Sequence, residues 1–173
     1  YQRKFNNSRI KLTANINTSY NYETENTNIT TQSLYKNNDI LRNPFLQRTY
    51  NYQNSNVSNF KIDYEHPVTK RGTLETGYKA ITRFTNADFQ SLWKINNEYV
   101  KNTLASNIFN FQEQIHAAYL QYRSYIGSNI DSAKWKYDIG LRVEQVFNQG
   151  KGETNNLFVK RRYFNYYPTA NIA

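Results

Sequence analysis

The run Lys134 to Phe147, KWKYDIGLRVEQVF, constrains the fold more than any other part of the chain. Taken at every second residue, Trp135, Tyr137, Ile139, Leu141 and Val143 form one set, with Phe147 beyond. Lys134, Lys136, Asp138, Gly140, Arg142 and Glu144 form the other. Strict alternation has a period of two, the pattern of a strand with one apolar and one charged face. A helix would scatter the apolar residues around its circumference and hold Gly140 mid-run at a cost of about 1 kcal/mol. The run is a strand. What remains is whether its apolar face meets a protein core or lipid.

Composition bears on that choice. Aromatics make up 16% of the residues, with 16 Tyr and 10 Phe, yet mean hydropathy is −0.88. Disordered chains are polar but poor in aromatics, and soluble cores draw more on Leu, Ile and Val. A polar, Tyr-rich chain with apolar residues at period two suits a wall between lipid and water. No run of about 18 apolar residues exists, so no transmembrane helix is expected. The absence of cysteine excludes a disulfide framework and a thiolate metal site. No signal peptide is legible, and the chain ends in a strand-like run, TANIA, so it is expected to be a piece of something larger.

Along the chain, the first strand is predicted from Ser8 to Tyr22, with Ile10, Leu12, Ala14, Ile16, Thr18, Tyr20 and Tyr22 in phase. A long polar connection follows, about Glu23 to Gln47. The second strand, about Arg48 to Glu65, has Tyr50, Tyr52, Phe60, Ile62 and Tyr64 in phase, but Asn54, Asn56 and Ser58 share that face. Either a bulge shifts the phase there, or the upper half stands clear of the apolar layer. A tight turn, His66 to Gly72, leads to a strand over Thr73 to Thr85, in which Ile81 breaks the pattern. A second long connection spans about Asn86 to Asn107. The strand Ile108 to Tyr125 is apolar on both parities, and the odd set (Phe109, Phe111, Ile115, Ala117, Tyr119) is the expected apolar face. After a modest turn, Ile126 to Ala133, and the organising strand, a third loop spans Asn148 to Lys160. The last strand covers Arg161 to Ala173, with Phe164, Tyr166, Ala170 and Ile172 in phase.

The predicted connections run long, short, long, short, long. In an antiparallel meander this gathers long loops at one end and short turns at the other, as in bacterial outer-membrane barrels. Tyr137 to Phe147 roughly matches the 9–11 residues that a tilted strand needs to cross the apolar layer. A soluble β-sandwich also alternates, but its strands have a typical length of about 5–6 residues. The expected fold is all-β, an antiparallel up-and-down meander of about six long strands. It forms a segment of a transmembrane β-barrel wall, with residues 1–173 as one partial barrel domain lacking a plug.

Several stretches carry a resemblance: Asp63-Tyr64-Glu65-His66-Pro67, Leu74-Glu75-Thr76-Gly77-Tyr78-Lys79 and Phe111 to Tyr119. Trp135 to Glu144 and Tyr163-Phe164-Asn165-Tyr166-Tyr167-Pro168 continue it in order. Together they resemble the outer-membrane β-barrel family related to TonB-dependent receptors of Gram-negative bacteria. The resemblance implies a barrel of many more strands, an N-terminal plug and energy coupling through a periplasmic partner, all outside this sequence. Nutrient uptake of an unknown small ligand, from the bacterial outer membrane, would follow.

Chemistry is sparse. Glu113 and His116 have the spacing of a helical metal pair, but on a strand they point to opposite faces. No nucleophile elbow or phosphate loop is present, so neither enzyme activity nor a cofactor is expected. The charge of +9 fits nucleic acid, anionic lipid or an acidic ligand. Nucleic acid is not expected, because stacking modules interleave aromatics with basic residues, whereas here they lie opposite. Glu75, Lys79, Arg83, Lys136, Asp138, Arg142 and Glu144 are candidate lumen-lining residues, or cross-strand ion pairs with no ligand role. Trp93 and Tyr99, in the second long loop, are candidate contacts for a sugar or siderophore-like ligand. Arg161 and Arg162, at the loop end, are candidate contacts for lipopolysaccharide phosphates.

Overall fold

The computed structural model describes residues 1–4, 10–127, 134–154 and 156–173. Their strands are β1 (Gln2–Lys4), β2 (Lys11–Thr31), β3 (Phe45–Pro67), β4 (Thr73–Ile95), β5 (Glu98–Lys101), β6 (Asn107–Ile126), β7 (Trp135–Gly152) and β8 (Leu157–Ile172). All belong to one antiparallel sheet in the order β1-β2-β3-β4-β6-β7-β8, with β5 folded back on β4. Among the described residues no second sheet or helix covers either face, which removes the sandwich alternative. The sheet does not close: among the described residues no strand pairs the outer edge of β8.

Antiparallel partners face the same way, so the register carries the two-face division across the sheet. One row reads Leu12–Tyr64–Thr76–Leu120–Leu141–Pro168, and the next, on the other face, Thr13–Asp63–Gly77–Tyr119–Arg142–Tyr167. We call these the apolar and polar faces. Ile16, Leu120, Ile139 and Leu141 stand 81, 52, 58 and 47% exposed on the first. Every buried strand residue lies on the second: Asp63, Ser91, Ala117, Val146, Gly150 and Gly152. In a single layer such crowding belongs to the inner side of a curved sheet.

Four expectations are corrected by this register. First, β6 turns its even residues, His116, Ala118, Leu120 and Tyr122, to the apolar face and its odd set to the polar face. The odd residues are apolar because they fill gaps: the Tyr119 ring lies over Gly77 and the Phe109 ring against Gly150. Ile115 joins Ile81, Val146 and Tyr163 in an apolar row across the polar face, which also accounts for Ile81.

Second, the strands are longer than predicted. β2 and β3 pair without interruption from Lys11↔Glu65 to Thr31↔Phe45. No bulge interrupts the ladder at Asn54–Ser58, and the polar row Tyr22–Asn54–Asn86–Asn110–Lys151–Phe158 lies beyond the apolar band. Where both faces are polar the period-two contrast disappears, yet the ladder continues because it joins backbones, not side chains.

Third, the loops shrink. The first connection covers 32–44, and the third only 153–156, so the regular alternation of loop lengths does not hold. Fourth, most of the second predicted loop is strand. β4 turns at Asn96 and Asn97, with φ of 46° and 70°, into the β4–β5 hairpin. Asparagine tolerates this left-handed backbone, which a two-residue hairpin requires. Ser8 and Arg9 of the first predicted strand, most of the Ile126–Ala133 turn and Asn155 of the third loop lie outside the described residues.

Candidate functional site: the polar face of the sheet

The polar face holds a connected set of charges. The Tyr119 hydroxyl bonds Asp63 Oδ1 and lies 3.0 Å from Glu75 Oε1. Lys61 Nζ is 2.8 Å from Asp63 Oδ2. Arg123 pairs with Glu75 through Nη2 and reaches Asp138 Oδ2 through Nε at 3.8 Å. Gln121 donates to the same Asp138 oxygen. The network thus spans β3, β4, β6 and β7. Gly77 makes it possible, since a Cβ there would sit 2.4 Å from the Tyr119 ring and 2.7 Å from Asp63 Oδ1. Further along, Arg83 Nη1 pairs with Glu113 Oε2 at 3.2 Å and Arg142 pairs with Glu144.

Strand parity gathers Glu75, Lys79, Arg83, Lys136, Asp138, Arg142 and Glu144 on this one face. Most are tied to neighbours; among the described residues Lys79 and Lys136 have no ion pair. Glu75, Arg83 and Asp138 therefore serve as cross-strand ties, and Arg142 and Glu144 pair along β7, each exposed pair contributing about 0.2–1 kcal/mol. At the short-turn end a cleft of about 460 Å³ opens between Arg71, Arg123, Lys136, Glu65 and Asp138. Among the described residues no group of three or more His or carboxylate side chains converges as a metal would require.

The other candidates separate. Trp93 faces the polar side, edge-on to Phe45 at 5.4 Å. Tyr99 pairs with Lys94 on the apolar-face side, beneath the Arg48 guanidinium at 4.0 Å. The two cannot form one site, because β4 and β5 turn them to opposite faces. Arg161 and Arg162 are likewise split, Arg161 to the polar face and Arg162 to the apolar face. Consecutive strand residues must diverge in this way.

An uncovered apolar face, polar residues crowded on the other side and long antiparallel strands describe a membrane wall. A model of the outer membrane protein beta-barrel family matches residues 3–173. The chain belongs to the outer membrane protein beta-barrel family. No curated protein matches it. As a barrel protein of the bacterial outer membrane it carries Trp135, Tyr137, Ile139 and Leu141 on its apolar face, toward the end of the wall closed by the short 68–72 turn.

Barrel facing is directly testable, since the chain has no native cysteine. In the full-length protein in vesicles, a fluorophore on single cysteines at Tyr78, Tyr137 or Leu141 should be quenched strongly by lipid-borne quenchers. At Lys79 or Arg142 quenching should be weak. The inverse pattern would refute the facing.

Proposed function

We propose that the chain is part of the wall of a TonB-dependent receptor that takes up a small nutrient across the outer membrane. The observation that carries the reading is an exposed apolar cluster at the far end of the inner face, beyond its charged network. Ile29, Phe45, Trp93, Ile95 and Val100 share that face, each 38–49% exposed. Water-facing aromatics held on rigid strands above a charged lumen suit capture of a sugar or an iron chelate before entry. The open edge of β8 also supports a larger barrel. In hydrocarbon every backbone donor and acceptor must be paired, so the wall continues in further strands. A plug and a periplasmic energy-coupling protein belong to this reading as partners.

The test is uptake by cells expressing the full-length protein, offered a panel of iron chelates and oligosaccharides. Depletion of one ligand should stop when the periplasmic coupling protein is removed. It should fall several-fold with Trp93→Ala and stay unchanged with Tyr99→Ala, whose ring faces the other way. Depletion indifferent to the coupling protein would overturn the TonB-dependent reading. No depletion at all would leave the alternative, a structural outer-membrane barrel that transports nothing.

A further inference from the structure

The charges on the apolar face are distributed unlike those on the polar face. Within the band from Trp135 to Phe164, the β3, β4, β6, β7 and β8 residues of this face carry no lysine, arginine or carboxylate. Immediately beyond it, away from the periplasmic turns, stand Arg162, Lys160 and Lys151, with Arg48 and Lys94 farther across the sheet. Asp88 is the one acidic strand residue on this face among those described.

The pairing also differs. Arg162 is held by neutral partners: its guanidinium lies 5.0 Å from the Phe147 ring centre. With the Gln145 amide oxygen turned toward it, Nε and Nη2 donate at 2.8 and 3.1 Å. Lys160 and Arg162 have no carboxylate partner among the described residues, and Lys151 has only the distant Glu153, at 3.9 Å. Beside Lys160 a cleft of about 180 Å³ opens between Gln112, Gln114, Phe147 and Gln149, with Asn148 and Arg161 completing its lining. Oriented cations and amide donors, with Glu153 the one carboxylate paired to them among the described residues, sit just beyond the uncharged band.

We propose that Lys160 and Arg162, supported by Lys151 and the Gln112–Gln149 cleft, form a binding site for the phosphorylated headgroup of an outer-leaflet lipid, as lipopolysaccharide presents. A guanidinium offers phosphate a fork of donors, and an ammonium adds a compact charge. The lipid's acyl chains would lie along Phe164, Tyr166 and Leu141 below. The inference uses the outer-membrane placement, with the 68–72 turn taken as the periplasmic end, and stands independently of uptake. It also replaces Arg161, which faces inward, with Lys160 as the partner of Arg162.

The test titrates the full-length protein in detergent with diphosphorylated lipid A and with the same lipid stripped of phosphate. Lys160→Gln with Arg162→Gln should weaken binding of the phosphorylated lipid by about thirtyfold, from roughly 1 kcal/mol per basic residue. The charge-matched pair Lys79→Gln with Lys136→Gln, on the other face, should change it less than about twofold. Dephosphorylated lipid should bind the native protein as weakly as the first variant binds the intact lipid. Equal losses from both variants would reduce the effect to net charge and overturn the site. So would displacement of the lipid by millimolar inorganic phosphate alone, which would point to a free-phosphate site.

Discussion

Leu141→Arg is expected to destabilise the full-length barrel in lipid vesicles by about 2–4 kcal/mol, the cost of an arginine near the bilayer midplane. Leu141 stands 47% exposed on the apolar face, with the apolar Leu120 and Pro168 as its cross-strand neighbours. The neighbouring residue is already an arginine, Arg142, which the polar face accommodates through Glu144. The cost therefore belongs to the face, not to the side chain or the strand. Asn165→Arg, opposite Glu144 on the polar face, should shift stability by no more than about 1 kcal/mol, as for a cross-strand ion pair. Urea titration in vesicles, followed by tryptophan emission, measures both. Equal costs would mean that both faces are packed against protein.

Gly77→Val should be comparably damaging, at about 3 kcal/mol, combining overpacking with hydrogen bonds lost from charged groups. Any Cβ at 77 enters the volume of the Tyr119 ring. The ring must leave, and its hydroxyl then abandons Asp63 and Glu75. Asp63 is only 8% exposed and would keep Lys61 alone. Tyr119→Phe, which removes the hydroxyl and spares the ring, should cost about 1–3 kcal/mol. Because ring and glycine act together, Gly77→Val combined with Tyr119→Ser should cost clearly less than the sum of the single changes. Additive costs would mean that the ring is not held by the gap above Gly77.

The strands and their faces were legible wherever one face was apolar and the other charged, as from Trp135 to Glu144. Legibility failed in two physical situations. On β6 both parities are apolar, since Phe109 and Tyr119 fill space beside glycines on neighbouring strands; only the register reveals which gaps exist. Above the apolar band both parities are polar, so Asn86 to Lys101 read as loop although its backbone is paired on β4 and β5. The hairpin signal was nonetheless present, as Asn96-Asn97 between Ile95 and Glu98. The division of Arg161 from Arg162 was also readable, from the phase of Phe164 and Tyr166. Trp93 and Tyr99 were misjudged because residues in a loop have no parity, whereas residues on a hairpin do.

The strands continue well past the band, from the row of Tyr20, Asn56 and Phe84 to that of Thr31 and Phe45. At about 3.3 Å per residue this is roughly 35 Å of strand outside the hydrocarbon. This end of the wall is thus hydrogen-bonded fabric more than loose loops. A protease needs an extended, unpaired segment in its active site, so digestion of intact cells should be confined to tips such as 32–44. An antibody footprint on this surface would draw together Thr24, Tyr52 and Asp88, which lie on three strands and far apart in sequence. Sera raised against linear peptides would recognise the denatured chain and miss the living surface.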